Sequence, residues 1–157
     1  MHERILVPLD GSKLGEAALS CVELVMSKFS PEIKVEIILL RVVPRLVNVV
    51  PSGYEIATFP YADGQMEPIK AKALEYLNTV GETLRQKGAI VTCKVTVGDA
   101  AEEIIKVAEE AKADFIAMST HGRSGLGRWA FGSVAEKVLR SGVKVPILMV
   151  KATDPGN

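Results

Sequence analysis

The segment FIAM at residues 115–118 decides the fold, because an unbroken apolar run is typical of a strand buried on both faces of a parallel sheet. ILVPL at residues 5–9 is a second short apolar run, and residues 35–43 and 145–150 predict two more strands. Residues 91–97 alternate apolar and polar side chains, which indicates a half-exposed strand at a sheet edge. Apolar residues at helical spacing lie between these strands. The chain is therefore predicted to be an α/β protein with a five-stranded, doubly wound parallel sheet and helices on both faces.

The length of 157 residues suits a single domain over residues 1–157, with its core in residues 3–151. Residues 44–67 are rich in proline and glycine and are interpreted as a long, mobile and functional loop. Residues 152–157 are expected to form a frayed tail. Ser12 is the predicted N-cap of the first helix, and Gly88 is predicted to close the second helix.

Composition excludes several classes of function. Nineteen basic residues balance nineteen acidic residues, so the basic excess of a nucleic-acid-binding protein is absent. No apolar run has the length of a membrane span, and the chain enters a strand pattern without a signal peptide, so we expect no membrane partner and a cytoplasmic location. Cys21 and Cys93 lie on apolar faces and are interpreted as buried structural thiols.

Ligands of an open, doubly wound sheet bind beyond the carboxyl ends of the strands, where the strand order reverses. The loop STHGRSGLGR at residues 119–128 follows the central strand and precedes a helix that begins at Gly132-Ser133. Glycines allow close approach of the backbone, and the free N–H groups of a helix start favour an anion. Ser133 and Arg123 add hydrogen-bond donors for phosphate. A flexible surface loop is the alternative interpretation, since the loop has neither the Gly-Lys-[Ser/Thr] of a P-loop nor the position of a dinucleotide fingerprint.

These residues resemble the universal stress protein family over about residues 4–150. The resemblance is carried by ILVPLDGS (5–12), AMSTHGRSG (117–125), FGSVAEKVL (131–139) and VPILMV (145–150). The ATP-binding branch of that family carries Gly-x-x-Gly, nine further residues and Gly-[Ser/Thr]. Gly122 and Gly132-Ser133 match this pattern, whereas Ser119 replaces its first glycine and would be strained if the backbone required a positive φ. The resemblance implies an adenine nucleotide alpha hydrolase-like, Rossmann-like fold with strand order 3-2-1-4-5.

The resemblance also implies a ligand, which is ATP, or AMP or ADP, with Mg²⁺ or Mn²⁺ carried by the nucleotide. Asp10 would lie near the ribose or a phosphate-bound metal, and Val42 would contact adenine through its backbone. Met118 and Ser119 would line the base and ribose pocket, and Pro8 would shape the first turn. The residues that the resemblance assigns to the phosphates are His121, Gly122, Gly132, Ser133 and Val134, and Arg123 is added because its guanidinium can pair with phosphate oxygens.

Each of these roles has a structural alternative. Asp10 could cap the first helix, Val42 and Met118 could be ordinary core residues, and His121 could be a solvated loop residue. The last strand, residues 145–150, is apolar and would lie at a sheet edge, which favours pairing with a second copy of the chain. The family resemblance implies the same homodimer.

Three functions are compatible with the sequence. The first is a homodimeric, ATP-binding sensor or regulator of the stress response. The second is a dimeric interaction module with a vestigial pocket, which Ser119 and the missing P-loop lysine favour. The third is a slow ATP hydrolase; no nucleophile–base pair or carboxylate dyad is recognisable in the sequence, so no catalytic residue is predicted.

Overall fold

The computed structural model describes residues 2–49, 57–62, 64–121 and 132–152. Its elements, in chain order, are β1 (His2–Pro8), α1 (Ala17–Met26), β2 (Lys34–Val43), β3 (Leu46–Val49), β4 (Ala57–Pro60), α2 (Met66–Gln86), β5 (Ile90–Val97), α3 (Ala100–Glu110), β6 (Phe115–His121), α4 (Ser133–Arg140) and β7 (Ile147–Ala152). In the part of the chain that is described, no helix combines the length and the apolar character that crossing a bilayer requires.

The main sheet has five parallel strands in the order β5-β2-β1-β6-β7. These are the five strands expected from the sequence, and their order confirms the predicted 3-2-1-4-5 arrangement. β5 lies at one edge, as the alternating pattern of residues 91–97 indicated. The chain adds strands on one side of β1 and then crosses to the other, so the strand order reverses at β1. A ligand site is therefore expected beyond the carboxyl end of β1.

Alternate residues of the central strands enter two separate hydrophobic layers, as the pleat of a strand requires. Ile5 and Leu39 pack with Val22 of α1 and Leu77 of α2 on one face. The opposite face carries a second layer, which packs against α3 and α4. Its fully buried or nearly buried members include Leu6, Leu40, Ile104, Val107, Ile116 and Val138. Both faces of the sheet are therefore covered, which explains the unbroken apolar runs at residues 5–7, 37–40 and 115–118 of its central strands.

The segment 44–67 contains regular structure that the sequence analysis did not predict. β3 and β4 lie within it and pair antiparallel as a separate two-stranded sheet, with Leu46 opposite Pro60. The proline and glycine content of the segment concealed these short strands, since Pro60 occupies the last position of β4. Residues 50–56 and 63 lie outside the described part of the chain, and the mobility expected of this segment stays a prediction.

The start of the first helix also differs from the prediction. α1 begins at Ala17 and its N-cap position is Glu16, so Ser12 is not the N-cap. Ser12 instead lies in the turns between β1 and α1. The end of α2 is as predicted: Gly88 has φ +90°, and its N–H donates to the carbonyl of Arg85 at 2.9 Å. This left-handed residue ends the helix because glycine adopts it without steric cost.

Two smaller expectations need correction. β7 runs to Ala152, which is fully buried and pairs with His121, so the chain is not frayed at residue 152. Residues 153–157 lie outside the described part. Cys21 and Cys93 are free thiols, but both are only partly buried.

Candidate functional site

A cavity of about 260 Å³ lies at the carboxyl edge of the sheet, where the strand order reverses. Its size is close to the lower end of the range for small-molecule sites, roughly 300–1,000 Å³. The first turns of α3 and α4 close one side of it, and the turn after β1 closes another. Its lining residues are Pro8, Leu9, Asp10, Gly15, Leu40, Arg41, Val42, Ala100, Ile104, Met118, Ser119, Gly132, Ser133, Val134 and Ala135.

The hydrogen bonds between β1 and β2 stop before β2 ends. The last of them runs from the Leu9 N–H to the Leu40 carbonyl at 2.8 Å, and the Val43 carbonyl accepts on the opposite side, from Gly98 at 3.0 Å. Because successive residues of a parallel strand bond alternately to its two neighbours, the N–H and carbonyl of Val42 face the β1 side, like those of Leu40. They have no partner there among the described residues. The backbone of Val42 therefore offers one donor and one acceptor at the cavity.

The turn after β1 is organised by the carboxylate of Asp10. Its Oδ1 accepts hydrogen bonds from the Ser12 N–H at 2.9 Å and the Ser12 hydroxyl at 2.6 Å. Burial raises the pKa of Asp10, but these two hydrogen bonds and the charge of Arg41 together lower the pKa below its ordinary value. Asp10 is therefore ionised at neutral pH. Its Oδ2 has no protein partner within the described residues and is available to a ligand.

Ser119 replaces the first glycine of the family motif, and its hydroxyl bonds to the protein backbone near the start of α1. Its hydroxyl donates to the Gly15 carbonyl at 2.8 Å and accepts from the Ala18 N–H at 3.0 Å. Within the described residues, Lys112 is the only non-glycine with a positive φ, so Ser119 adopts an ordinary backbone conformation. The strain considered for a serine at this position does not arise. Ser119 lines the cavity while its polar group faces the start of α1.

The start of α4 forms the opposite wall. Gly132 occupies the N-cap position with φ −58° and ψ 153°, and its carbonyl accepts the first helical hydrogen bond from Glu136 at 2.9 Å. No side chain of the described residues caps this helix. Ser133, Val134 and Ala135 follow in the first turn and line the cavity. Their N–H groups belong to the positive end of the helix dipole, which makes this wall suited to an anion.

Arg41 is the charged partner of Asp10 in the cavity wall. Its guanidinium donates to the Leu9 carbonyl at 3.4 Å, a long bond at the position where the β1–β2 ladder ends. Tyr76 of α2 lies near both charges and donates to Glu16 at 3.1 Å. Burial, followed by the hydrogen bond to Glu16, raises the pKa of Tyr76, so its hydroxyl stays protonated and acts as a donor. Arg41 directly precedes Val42 at a strand end, which is the signal by which the sequence could have revealed it.

The family model of the universal stress proteins matches residues 1–151, which is nearly the whole chain. The chain belongs to the universal stress protein family. Universal stress protein MJ0531 of Methanocaldococcus jannaschii is 30% identical over 152 residues, and the alignment covers 96% of this chain and 83% of that protein.

Solved structures of universal stress proteins share this fold. MJ0577 of the same organism matches with a TM-score of 0.69 and 26% identity, over 98% of this chain and 99% of that one. A family protein from Arabidopsis thaliana with AMP bound matches with a TM-score of 0.61 and 17% identity, over 98% and 94% of the two chains. A universal stress protein in complex with cAMP matches with a TM-score of 0.58 and 21% identity, over 96% and 98%.

In this universal stress protein, most of the residues singled out in the sequence line one cavity. They are Pro8, Asp10, Val42, Met118, Ser119, Gly132, Ser133 and Val134. His121 ends β6, and only its backbone is described, whereas Gly122 and Arg123 lie outside the described residues. The ligand contacts assigned to all of these residues stay predictions.

Sequence reasoning missed the other residues of the lining. They are Leu9, Gly15, Leu40, Arg41, Ala100, Ile104 and Ala135. Ala100 and Ile104 lie on one face of α3, but only the packing of α3 beside α4 brings that face to the cavity. No cluster of three or more metal-ligating side chains occurs in the described ranges.

Proposed function

We propose that this universal stress protein binds an adenine nucleotide, ATP or else AMP or ADP, in the cavity beyond β1, β2 and β6, and acts as a homodimeric sensor or regulator in the stress response. The observation that carries the proposal is the convergence, in one cavity, of an unpaired strand backbone, an ionised carboxylate and an uncapped helix start. Each of these features matches one part of a nucleotide.

The unpaired backbone of Val42 suits the base. Adenine presents a ring-nitrogen acceptor beside an amine donor, which complements one N–H and one carbonyl. On the edge where adenine presents N7 and its amine, guanine presents the two acceptors N7 and O6 and would leave the Val42 carbonyl facing an acceptor. Apolar side chains of Leu40, Ile104 and Met118 border the same cavity and provide surfaces for a flat ring. The site therefore favours adenine over guanine.

The carboxylate of Asp10 suits the sugar. Oδ1 is held by Ser12, and Oδ2 is available to accept hydrogen bonds from ribose hydroxyls. An acidic residue near the ribose is a recurrent solution in doubly wound nucleotide-binding folds. The alternative role of Asp10 as the cap of the first helix is not observed, since α1 begins at Ala17 and has no side-chain cap.

The start of α4 suits the phosphates. Its N–H groups and the Ser133 hydroxyl lie at the positive end of a helix dipole, which favours an anion. The structural relatives that carry AMP and cAMP support an adenosine phosphate as the class of ligand. Gly122, Arg123 and His121 complete the proposed phosphate contacts. A divalent ion would take its ligands mainly from phosphates and water, because Asp10 is the only carboxylate among the described lining residues.

The proposed dimer uses the β7 edge. β7 is the last strand of the described sheet, and its residues Ile147, Leu148, Met149 and Val150 are only partly buried. A strand edge of this kind pairs readily with another chain, and its symmetry mate would cover both edges at once. The cytoplasm is the setting proposed for this dimer.

The test of the proposed site uses Val42. Val42→Pro removes an N–H that makes no ladder bond, and proline is tolerated at such strand positions. One lost hydrogen bond predicts roughly tenfold weaker ATP binding and a smaller preference for ATP over GTP. Isothermal calorimetry with both nucleotides measures these values, and thermal melting checks the fold.

Val42→Ala is the matched control, because it trims the side chain and keeps the N–H. We expect its ATP-to-GTP preference to equal that of the wild type. If the wild-type protein shows no heat and no thermal shift at millimolar ATP, AMP or ADP, nucleotide binding is refuted and the interaction-module alternative is favoured. Sustained release of phosphate from ATP would instead favour the hydrolase alternative.

A further inference from the structure

A continuous chain of hydrogen bonds joins the carboxylate of Asp10 to the first turn of α1. Asp10 Oδ1 accepts from the Ser12 hydroxyl at 2.6 Å, and the Ser12 hydroxyl oxygen accepts from the Gly15 N–H at 3.0 Å. The Gly15 carbonyl accepts from the Ser119 hydroxyl at 2.8 Å, and the Ser119 hydroxyl oxygen in turn accepts from the Ala18 N–H at 3.0 Å. Ser119 is the one member of this chain that belongs to β6, so it anchors the turn to the central sheet.

Gly15 and Asp10 are in direct contact, and this contact transmits the position of one to the other. A Cβ placed on Gly15 would lie 2.6 Å from Asp10 Oδ1, which is closer than real Cβ atoms approach, and 3.3 Å from the Ser12 hydroxyl, which is a tight contact. The carboxylate therefore fills the space that a side chain at position 15 would occupy. The position of the Gly15 peptide therefore limits where the carboxylate can lie, in addition to the two hydrogen bonds from Ser12.

Ser119 is the residue that holds it. α1 has no side-chain cap of its own, and Glu16 occupies its N-cap position without one. The Ser119 hydroxyl substitutes for that cap from another element, since it accepts the N–H of Ala18, a fully buried residue. Loss of the hydroxyl would leave the Ala18 N–H and the Gly15 carbonyl unpaired and release the turn from the sheet.

We propose that Ser119 is a positioning residue, which fixes the Asp10 carboxylate for the sugar hydroxyls of the bound nucleotide without contributing its own hydroxyl to the ligand. This inference rests on the proposed nucleotide function and assigns a role to the residue that replaces the first glycine of the family motif. It requires that Ser119 affect ligands with sugar hydroxyls more than ligands without them.

The experiment compares ATP with 2′,3′-dideoxy-ATP, which has no sugar hydroxyl for Asp10. Calorimetric titration of the wild type should give about tenfold tighter binding of ATP, the value expected for a hydrogen bond to a charged group. Ser119→Ala should reduce this preference to about twofold or less by weakening ATP alone. Ser119→Thr keeps the hydroxyl and should restore the preference. A purely structural loss in Ser119→Ala would instead weaken the binding of both nucleotides equally.

Asp10→Asn, alone and combined with Ser119→Ala, completes a double-mutant cycle for ATP binding. If Ser119 acts through Asp10, the second substitution adds little once the carboxylate is gone. Gly15→Ala disturbs the contact between Gly15 and Asp10 directly, because its Cβ would displace the carboxylate. This variant replaces Ser119→Ala in the test if Ser119→Ala does not fold. It should remove the ATP preference as well.

The outcomes separate the two proposals. A wild-type protein that binds neither nucleotide refutes nucleotide binding itself. A wild-type protein that prefers ATP, together with a Ser119→Ala variant that keeps the full preference or weakens both nucleotides equally, overturns the positioning role alone.

Discussion

The starts of α3 and α4 lie side by side at the same edge of the sheet, but a side chain caps the free N–H groups of α3 and none of the described side chains caps those of α4. Asp99 caps α3 and accepts from Ala101 at 3.0 Å and from Glu102 at 3.2 Å. Gly132 holds the same position in α4 with a similar extended backbone, but it has no side chain with which to cap the helix. A helix start is available to an anion only where no side chain caps it, and of these two helices only α4 lacks a cap from the described residues.

The capped start also balances its own charge. The hydrogen bond from the Glu102 N–H is the main cause that lowers the pKa of Asp99, against a smaller opposing effect of burial, and Lys137 of α4 contributes from 3.4 Å. Asp99 is therefore ionised and already satisfied. The comparison predicts that adding a cap to α4 weakens nucleotide binding, whereas removing the cap of α3 lowers the stability of the fold.

The largest effect is expected when α4 receives a cap like that of α3. Gly132→Asp places a carboxylate where we propose that the phosphates bind, and such like-charge contacts cost several kcal/mol. ATP affinity should fall by about 100-fold or more. The free energy of unfolding should rise by about a few tenths of a kcal/mol, the difference between glycine and aspartate at an N-cap. Calorimetry and chemical denaturation measure the two quantities.

Gly132→Asn is the control for that variant, since it caps the helix without adding a charge. Its ATP affinity should lie between those of the wild type and Gly132→Asp. Equal ATP affinity in all three proteins would show that the α4 start does not hold the phosphates.

Removing the cap of α3 should have a smaller effect, and on stability rather than binding. Asp99→Ala leaves the N–H groups of Ala101 and Glu102 without their acceptor, which costs about 1 kcal/mol and lowers Tm by about 2–4 °C. ATP affinity should not change, because Asp99 does not line the cavity. A clear loss of ATP affinity in a folded Asp99→Ala protein would contradict the proposed division of roles.

The smallest effect concerns the pH dependence of the α3 cap. Because the pKa of Asp99 is lowered from 3.8 in the folded protein, its charge stabilises the fold above pH 3.8, and that contribution is lost as the pH falls through the folded value. Asp99→Asn keeps a good cap without the charge. At neutral pH it should be less stable by about a few tenths of a kcal/mol, since Asp99 is largely solvated. Denaturation in a pH series from 7 downward should show this difference shrink as the pH falls below 3.8, and a constant difference would contradict the prediction.

Much of the fold was predictable because local patterns and burial agree in it. The apolar run of residues 115–118 became the core of β6, the alternation of residues 91–97 became an edge strand, and Gly88 ended α2. The β3–β4 pair was not predictable, because four-residue strands in a segment rich in proline and glycine leave almost no periodic signal.

The candidate site was predictable only in part. Glycine and serine at 132 and 133 mark a helix start by their residue types, and the structure brings them to a cavity with Asp10 and Val42. The hydrogen bond of Arg41 to the Leu9 carbonyl depends on where β1 separates from β2. The hydrogen bond that Ser119 accepts from Ala18 depends on how α1 packs beside β6. Contacts across 32 and 101 positions leave no mark in a single sequence.

The sequence by itself determined the five strands of the main sheet and the helices between them, that this sheet is parallel and covered on both faces, and that α4 begins without a side chain able to cap it. These features follow from side-chain types and their spacing. Only the tertiary structure decided that the Ser119 hydroxyl bonds to the start of α1 and that the Asp10 carboxylate occupies the space beside Gly15. It also decided that the Val42 backbone has no partner among the described residues. The physical reason is that hydrogen bonds between distant elements depend on how rigid elements pack, to within a fraction of an ångström.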